Sequence, residues 1–210
     1  METPSSAAVP RIYLTSPVIS PELYEQLFAT LPPRRRASVE RLLRAAAREQ
    51  AVVGFCLVRY AIYAETGRVF DGDWQISASG KPYLTDAPFF NLSHCASAVA
   101  VAISSEAEVG IDIEPLLPRD PRLAKRLCSP TELAALEQAD DPERATLLLW
   151  SAKEAEGKRR GTGLENATNL STEQVAALDV VLDGKPHILT LSPARVCPAP
   201  IILSPEQLLL

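Results

Sequence analysis

Val109-Gly110-Ile111-Asp112-Ile113-Glu114 alternates apolar and acidic residues, and that alternation governs how the rest of the chain is read. Drawn as a strand, it sends Ile111 and Ile113 to one face and Asp112 and Glu114 to the other. The isoleucines mark a core face. The carboxylates stand side by side and repel each other unless positive charge lies between them. A magnesium ion held by carboxylates and substrate phosphates would supply it; the plainer alternative is an exposed polar face on an edge strand.

Working outward, residues 74–77, 88–92 and 98–103 are short and rich in strand formers, and the acidic strand is expected to pair with the last of them around the polar turn 104–108. Earlier still come an extended start at 11–15 and a helix capped by Ser20 with Pro21 at its first position. Pro32 and Pro33 break that helix. Residues 34–48 then read as one basic amphipathic helix, followed by a helical stretch over 51–65 that Gly67 ends. Downstream, Pro115 and Pro118 close the acidic strand. Helices are predicted at 122–127, 130–139 and 142–160, then strands at 175–182 and 187–191 around an Asp183-Gly184 turn. A last strand is placed at 201–203. Helices followed by strands, twice, predict an α+β fold of two similar halves, 1–105 and 106–210. With no low-complexity linker between them, they should pack as one unit with a ligand cleft between them.

Composition narrows the chemistry. A chain of 210 residues with 47% hydrophobic and 22% charged positions can bury a core. Its longest apolar run, residues 51–58, is far short of the roughly 20 residues of a membrane span. Residues 1–13 lack a basic segment followed by an apolar stretch, so the cytoplasm is the expected compartment. The net charge of −5 argues against general nucleic-acid binding. Cys56, Cys95, Cys128 and Cys197 stand singly, as reduced structural thiols do. There are only two histidines, His94 and His187, and five lysines against sixteen arginines. That rules out a histidine-rich metal centre and leaves hard-cation chemistry open.

Two segments add to the carboxylates. In residues 150–158, Trp150, Glu154 and Lys158 are spaced by four and share a helix face; an ordinary salt bridge of about 0.2–0.5 kcal/mol would explain the last two. Gly157 sits where glycine costs about 1 kcal/mol relative to alanine, which points to a close backbone approach or an irregular helix. The arginine-rich stretch is either a solvated face or a clamp for a small polyanion.

The Gly80-Lys81-Pro82-Tyr83 turn, Phe90-Asn91-Leu92-Ser93-His94, Val109 to Glu114 and Trp150 to Lys158 running into Gly161-Thr162-Gly163-Leu164 together resemble the 4'-phosphopantetheinyl transferases. The likeness is to the monomeric, surfactin-synthetase-activating kind that serves carrier proteins of non-ribosomal peptide and polyketide synthases. It implies a pseudo-twofold fold with the active site in the cleft between the halves. It also implies magnesium-dependent transfer of 4'-phosphopantetheine from coenzyme A to a serine of an apo carrier protein, releasing adenosine 3',5'-bisphosphate. By that resemblance Asp112, Glu114 and Glu154 are the metal ligands, with Glu154 doubling as general base and Lys158 stabilising the leaving phosphate. Asp112, Lys153 and Lys158 would meet coenzyme A phosphates, and Lys81, Pro82, Ser93 and His94 its nucleotide and diphosphate side. Arg34, Arg36 and Arg48 are the candidates for its 3'-phosphate. Coenzyme A and a carrier protein are the implied partners, with no nucleic acid or membrane and with a monomeric state. The chain departs from the family at Gln50, where an arginine is expected, and at Glu156 and Gly157, where large apolar residues are. Glu132 matches a family acid, but Ser129-Pro130-Thr131-Glu132 also spells a capping box, the favoured reading.

Overall fold

A computed structural model describes residues 9–117 and 121–210; Pro118 and the first eight residues, part of the amino-terminal reading, lie outside them. The first half opens with β1 (Arg11–Thr15), then α1 (Pro21–Ala29), α2 (Pro33–Glu40) and α3 (Ala45–Thr66). A small hairpin, β2 (Gln75–Ile76) and β3 (Pro82–Tyr83), precedes β4 (Phe89–Cys95) and β5 (Ala98–Ser104). The second half runs β6 (Gly110–Pro115), α4 (Pro121–Leu127), α5 (Pro130–Glu137), α6 (Pro142–Arg160), β7 (Ala176–Leu182) and β8 (Lys185–Ser192), with β9 (Ile201–Ile202) near the end.

The two halves share one plan. Strand β5 pairs antiparallel with both β4 and β1, and β8 pairs antiparallel with both β7 and β6. Each half is therefore a strand, three helices and a hairpin whose second strand returns to lie beside the first. The sheets meet face to face: Ile12, Leu14, Ala98, Ala100 and Ala102 pack against Ile111, Ile113, Leu189 and Leu191. Small alanines on one side admit the branched side chains of the other, which keeps the interior dense. The outer face of the first sheet buries Tyr13, Val99, Val101 and Ile103 against α3, while α6 covers the outer face of the second.

Three sequence expectations give way. The acidic strand does not pair with β5; its partner is β8, with Asp112 opposite Thr190. Polar turns announce hairpins locally, but a strand arriving from residues 185–192 leaves no local signal. The single helix expected over 34–48 is two, because the chain turns at residues 41–44 before α3 begins; Arg44 caps α3 with extended backbone. Strand β9 pairs in parallel with β1 in the first sheet, and Leu203 and Leu208 join the core beneath α3. The tail of the expected 106–210 unit thus packs with the first half. The Ser20 and Ser129 caps, the Gly67 terminus and the Asp183-Gly184 turn stand where the sequence puts them, and all four cysteines are free thiols. Among the described residues no helix is long and apolar enough to cross a membrane.

Candidate active site

Strand β6 is the edge of its sheet, beside β4 at the edge of the other. An edge exposes backbone N–H groups that must find acceptors. Two side chains of β4 provide them: Ile111 N donates to Asn91 Oδ1 at 2.9 Å and Ile113 N to Ser93 Oγ at 3.4 Å. Asn91 and Ser93 are two apart on a strand and so face the same way. The Phe90–His94 motif is thus a seam stitching the halves together where the carboxylates lie.

On the other face of β6, Asp112 is only 3% exposed. Its Oδ1 accepts from Lys158 Nζ at 2.7 Å and Ser93 Oγ at 2.9 Å, and its Oδ2 accepts from Ser151 Oγ at 2.8 Å. Thr190, opposite Asp112 in the ladder, donates to Ser151 O at 2.9 Å, which holds the Asp112-facing turn of α6 to the sheet. Trp150 Nε1 donates to Glu114 Oε1 at 3.2 Å. The Trp150, Glu154, Lys158 row therefore faces β6, as its spacing requires. Burial pushes the Glu154 carboxyl above the ordinary range; Lys158 works against the shift, while the charges of Asp112 and Glu114 add to it. Burial, and then the Lys158 ammonium, push His94 below the usual histidine range.

Helix α6 lies close to β6 because β6 carries glycine at the contact, and a second glycine lets the turn after α6 fold back on the helix. A Cβ on Gly110 would lie 1.9 Å from Ala155 O, and one on Gly157 would lie 2.0 Å from Gly163 O. The backbone N–H groups of Thr162 and Gly163 donate to Gly157 O at 3.0 and 3.2 Å, so the close approach predicted at Gly157 is its own following turn. Neighbouring Glu156, a departure from the apolar family pattern, is buried in a polar cluster. It accepts from Arg159 Nε and Nη2 at 2.8 and 2.7 Å, from Ser192 Oγ at 2.5 Å and from Arg160. Burial alone would raise this carboxyl, but Arg159, Ser192 and Arg160 outweigh it and hold it at about 2.

Other expected site residues are held by partners within the protein. Lys153 has no exposed surface and donates to Ala167 O at 2.7 Å, Glu132 Oε2 at 2.9 Å and Leu127 O at 3.0 Å. Successive helix positions diverge by about 100°, so a helix that aims Glu154 and Lys158 at β6 turns Lys153 away. Glu132 is both the predicted cap and the Lys153 partner. Lys81 is spent within the protein: its ammonium donates to Glu108, to Arg159 O at 3.0 Å and to Val109 O at 3.3 Å. It clamps the end of α6 and the start of β6 beside a cavity of about 310 Å³ lined by Pro82, Tyr83, Phe90 and Arg160. Arg48, expected on a phosphate, donates to Leu42 O at 2.7 Å and Glu40 O at 3.3 Å. Arg35 pairs with Asp73 at 2.6 Å and lies over Trp74, while Arg34 and Arg36 make no such contact among the described residues. Gln50, where an arginine was expected, donates to Cys95 O at 2.9 Å.

Among the described residues no three His, Cys, Asp or Glu side chains form a ready-made metal cage. The donor chemistry nevertheless fits a hard cation, since burial raises the Glu154 carboxyl despite Lys158, with Asp112 and Glu114 near enough for their charges to add to the shift, and carboxylates are the ligands such ions prefer. Asn91, Ser151 and Thr190 are site-building residues that sequence reasoning missed. Only the Asn91/Ser93 alternation could have signalled one of them.

A sequence model of the 4'-phosphopantetheinyl transferase superfamily matches residues 108–197, the span from β6 through α6 to just beyond β8. A 4'-phosphopantetheinyl transferase of Bacillus subtilis is 31% identical over 159 residues, 73% of this chain and 70% of that protein. The 4'-phosphopantetheinyl transferase AcpT of Salmonella typhi is 37% identical over 136 residues, 61% of this chain and 69% of its own length. A Synechocystis protein named for the same activity is 37% identical over 98 residues, covering 43% of this chain and 40% of that protein.

Proposed function

Because the chain belongs to the 4'-phosphopantetheinyl transferase superfamily, a class of transferase enzymes, we propose that it moves 4'-phosphopantetheine from coenzyme A to a serine of an apo acyl or peptidyl carrier protein. The observation that carries this reading is the facing of β6 and α6, which gathers Asp112, Glu114, Glu154 and Lys158 at the Ser93 seam between the halves.

The serine oxygen forms a bond to the phosphorus that bears the pantetheine. The bond from that phosphorus to the bridging oxygen breaks, and adenosine 3',5'-bisphosphate leaves with the electron pair. The serine proton passes to the Glu154 carboxylate, directly or through one water. A carboxyl raised by burial and neighbouring charge is a better base than an exposed one. The Lys158 ammonium supplies positive charge where the leaving phosphate develops its own. Asp112, Glu114 and Glu154 would hold a magnesium ion, which offsets charge on the diphosphate oxygens. Ser93 and His94 border the diphosphate, Pro82 lines the nucleotide side, and Arg34 and Arg36 are available for the 3'-phosphate. Fixing both reactants at one seam supplies much of the remaining rate.

The test is transfer itself: incubate the protein with coenzyme A, magnesium and an apo carrier protein, and weigh the carrier by mass spectrometry. A gain of one phosphopantetheine, absent when magnesium is chelated, is expected. No gain across carriers of both synthase classes would overturn the reading.

A further inference from the structure

Leu43 is 97% exposed, on the turn between α2 and α3, with Arg41 and Arg44 on either side. A solitary exposed leucine is ordinary; this one is held out by construction. Arg48 reaches back from α3 to hydrogen-bond Leu42 O and Glu40 O. These two bonds satisfy carbonyls left open where α2 ends and fix the turn before any partner arrives. The turn adjoins the site through α3: Gln50, about 9 Å along the helix axis from Arg44, is bonded to Cys95 O, one residue from His94. Arg44, like Arg34 and Arg36 on α2, has no ion-pair partner among the described residues, a local excess of positive charge on a chain of net charge −5.

We propose that the Arg41–Arg44 turn docks the carrier protein, with Leu43 entering an apolar pocket on it and Arg41 and Arg44 facing acidic side chains around that pocket. This rests on the transferase reading for the kind of partner; the arginines on the turn call for acidic side chains on it. A preformed apolar anchor loses little conformational freedom on binding. Flanking charge speeds and orients encounter with an oppositely charged surface.

The test compares the full-length protein with Leu43→Glu and Leu43→Ala, first checking that their melting temperatures match wild type. Binding of a fluorescently labelled apo carrier protein is followed by anisotropy, and transfer is followed separately by mass. The expected result is a carrier Kd and a carrier KM raised about tenfold or more by Leu43→Glu and less by Leu43→Ala, with the coenzyme A KM unchanged. Added salt should weaken wild-type binding more than that of an Arg41→Gln/Arg44→Gln variant. An unchanged carrier Kd in Leu43→Glu overturns the docking proposal even if transfer proceeds. Tight, Leu43-dependent binding without transfer sustains docking and overturns the transferase reading, whereas a wild-type protein that neither binds nor modifies any carrier sinks both. Sedimentation with phosphatidylglycerol vesicles covers the competing occupant: Leu43-dependent vesicle binding with unchanged carrier affinity would mean a membrane surface, and the proposal would be wrong.

Discussion

Glu156→Gln tests the idea that a buried charge cluster sets the position of the catalytic helix. The carboxyl is 3% exposed and held at about 2, against an ordinary 4.5, by Arg159, Ser192 and Arg160. A carboxyl whose folded-state pKa is depressed adds stability above its unfolded value, and that stability is lost as pH falls through the folded value. The ionised form thus contributes about 3 kcal/mol at neutral pH, fading between about pH 5 and pH 2. Glutamine keeps the shape and loses the charge. In urea titrations followed by circular dichroism, the variant should be about 3 kcal/mol less stable than wild type at pH 7, and the gap should narrow steadily below pH 5. Because Arg159 O also accepts from Lys81, loosening this end of α6 should lower kcat as well. An equal gap at pH 7 and pH 3 would refute the reasoning, since it would show that packing rather than charge holds Glu156.

Glu154→Gln should abolish transfer while raising the melting temperature of the metal-free protein at pH 7, because a carboxyl raised by burial costs stability as pH climbs from its unfolded value through its folded one; a lower melting temperature in calorimetry would count against that burial cost. Lys153→Met leaves Glu132 and two carbonyls without their donor and should destabilise by about 3 kcal/mol without changing the coenzyme A KM; a KM raised as much as by Lys158→Met would return Lys153 to the site. Gly157→Ala puts a methyl 2.0 Å from Gly163 O and should cost about 2–3 kcal/mol, read as a fall in melting temperature. Unchanged thermal unfolding would mean that the turn after α6 adapts.

The local signals in the sequence were strong where the physics is local. Ser20, Ser129 and Pro142 mark helix starts because caps and first-turn prolines act within four residues. Ile111 and Ile113 alternate with Asp112 and Glu114, and they do face the core and α6. Trp150, Glu154 and Lys158 share a face because helical spacing compels it. Apart from the break between α2 and α3 at residues 41–44, what the sequence did not show involves distance. The family resemblance implies a phosphate contact for Lys153, whose partners within the protein come from residues 127, 132 and 167. Lys81 and Arg48 read as free cations until the fold brings backbone carbonyls to them. The departure at Glu156 looked like weakened packing until Ser192 arrived from β8.

By itself the sequence determined the alternation of β6, the helix boundaries that flank it and the row of charges on α6, since each depends on residues a few positions apart. Tertiary structure alone decided that β6 pairs with β8, that β9 crosses back beside β1, that Asn91 and Ser93 close the edge of β6, and that Lys158 rather than Lys153 or Lys81 turns to Asp112. Those outcomes follow from satisfying buried charges and edge backbone groups with partners from 20 to 188 residues away, and no short window along the chain contains both members of such a pair.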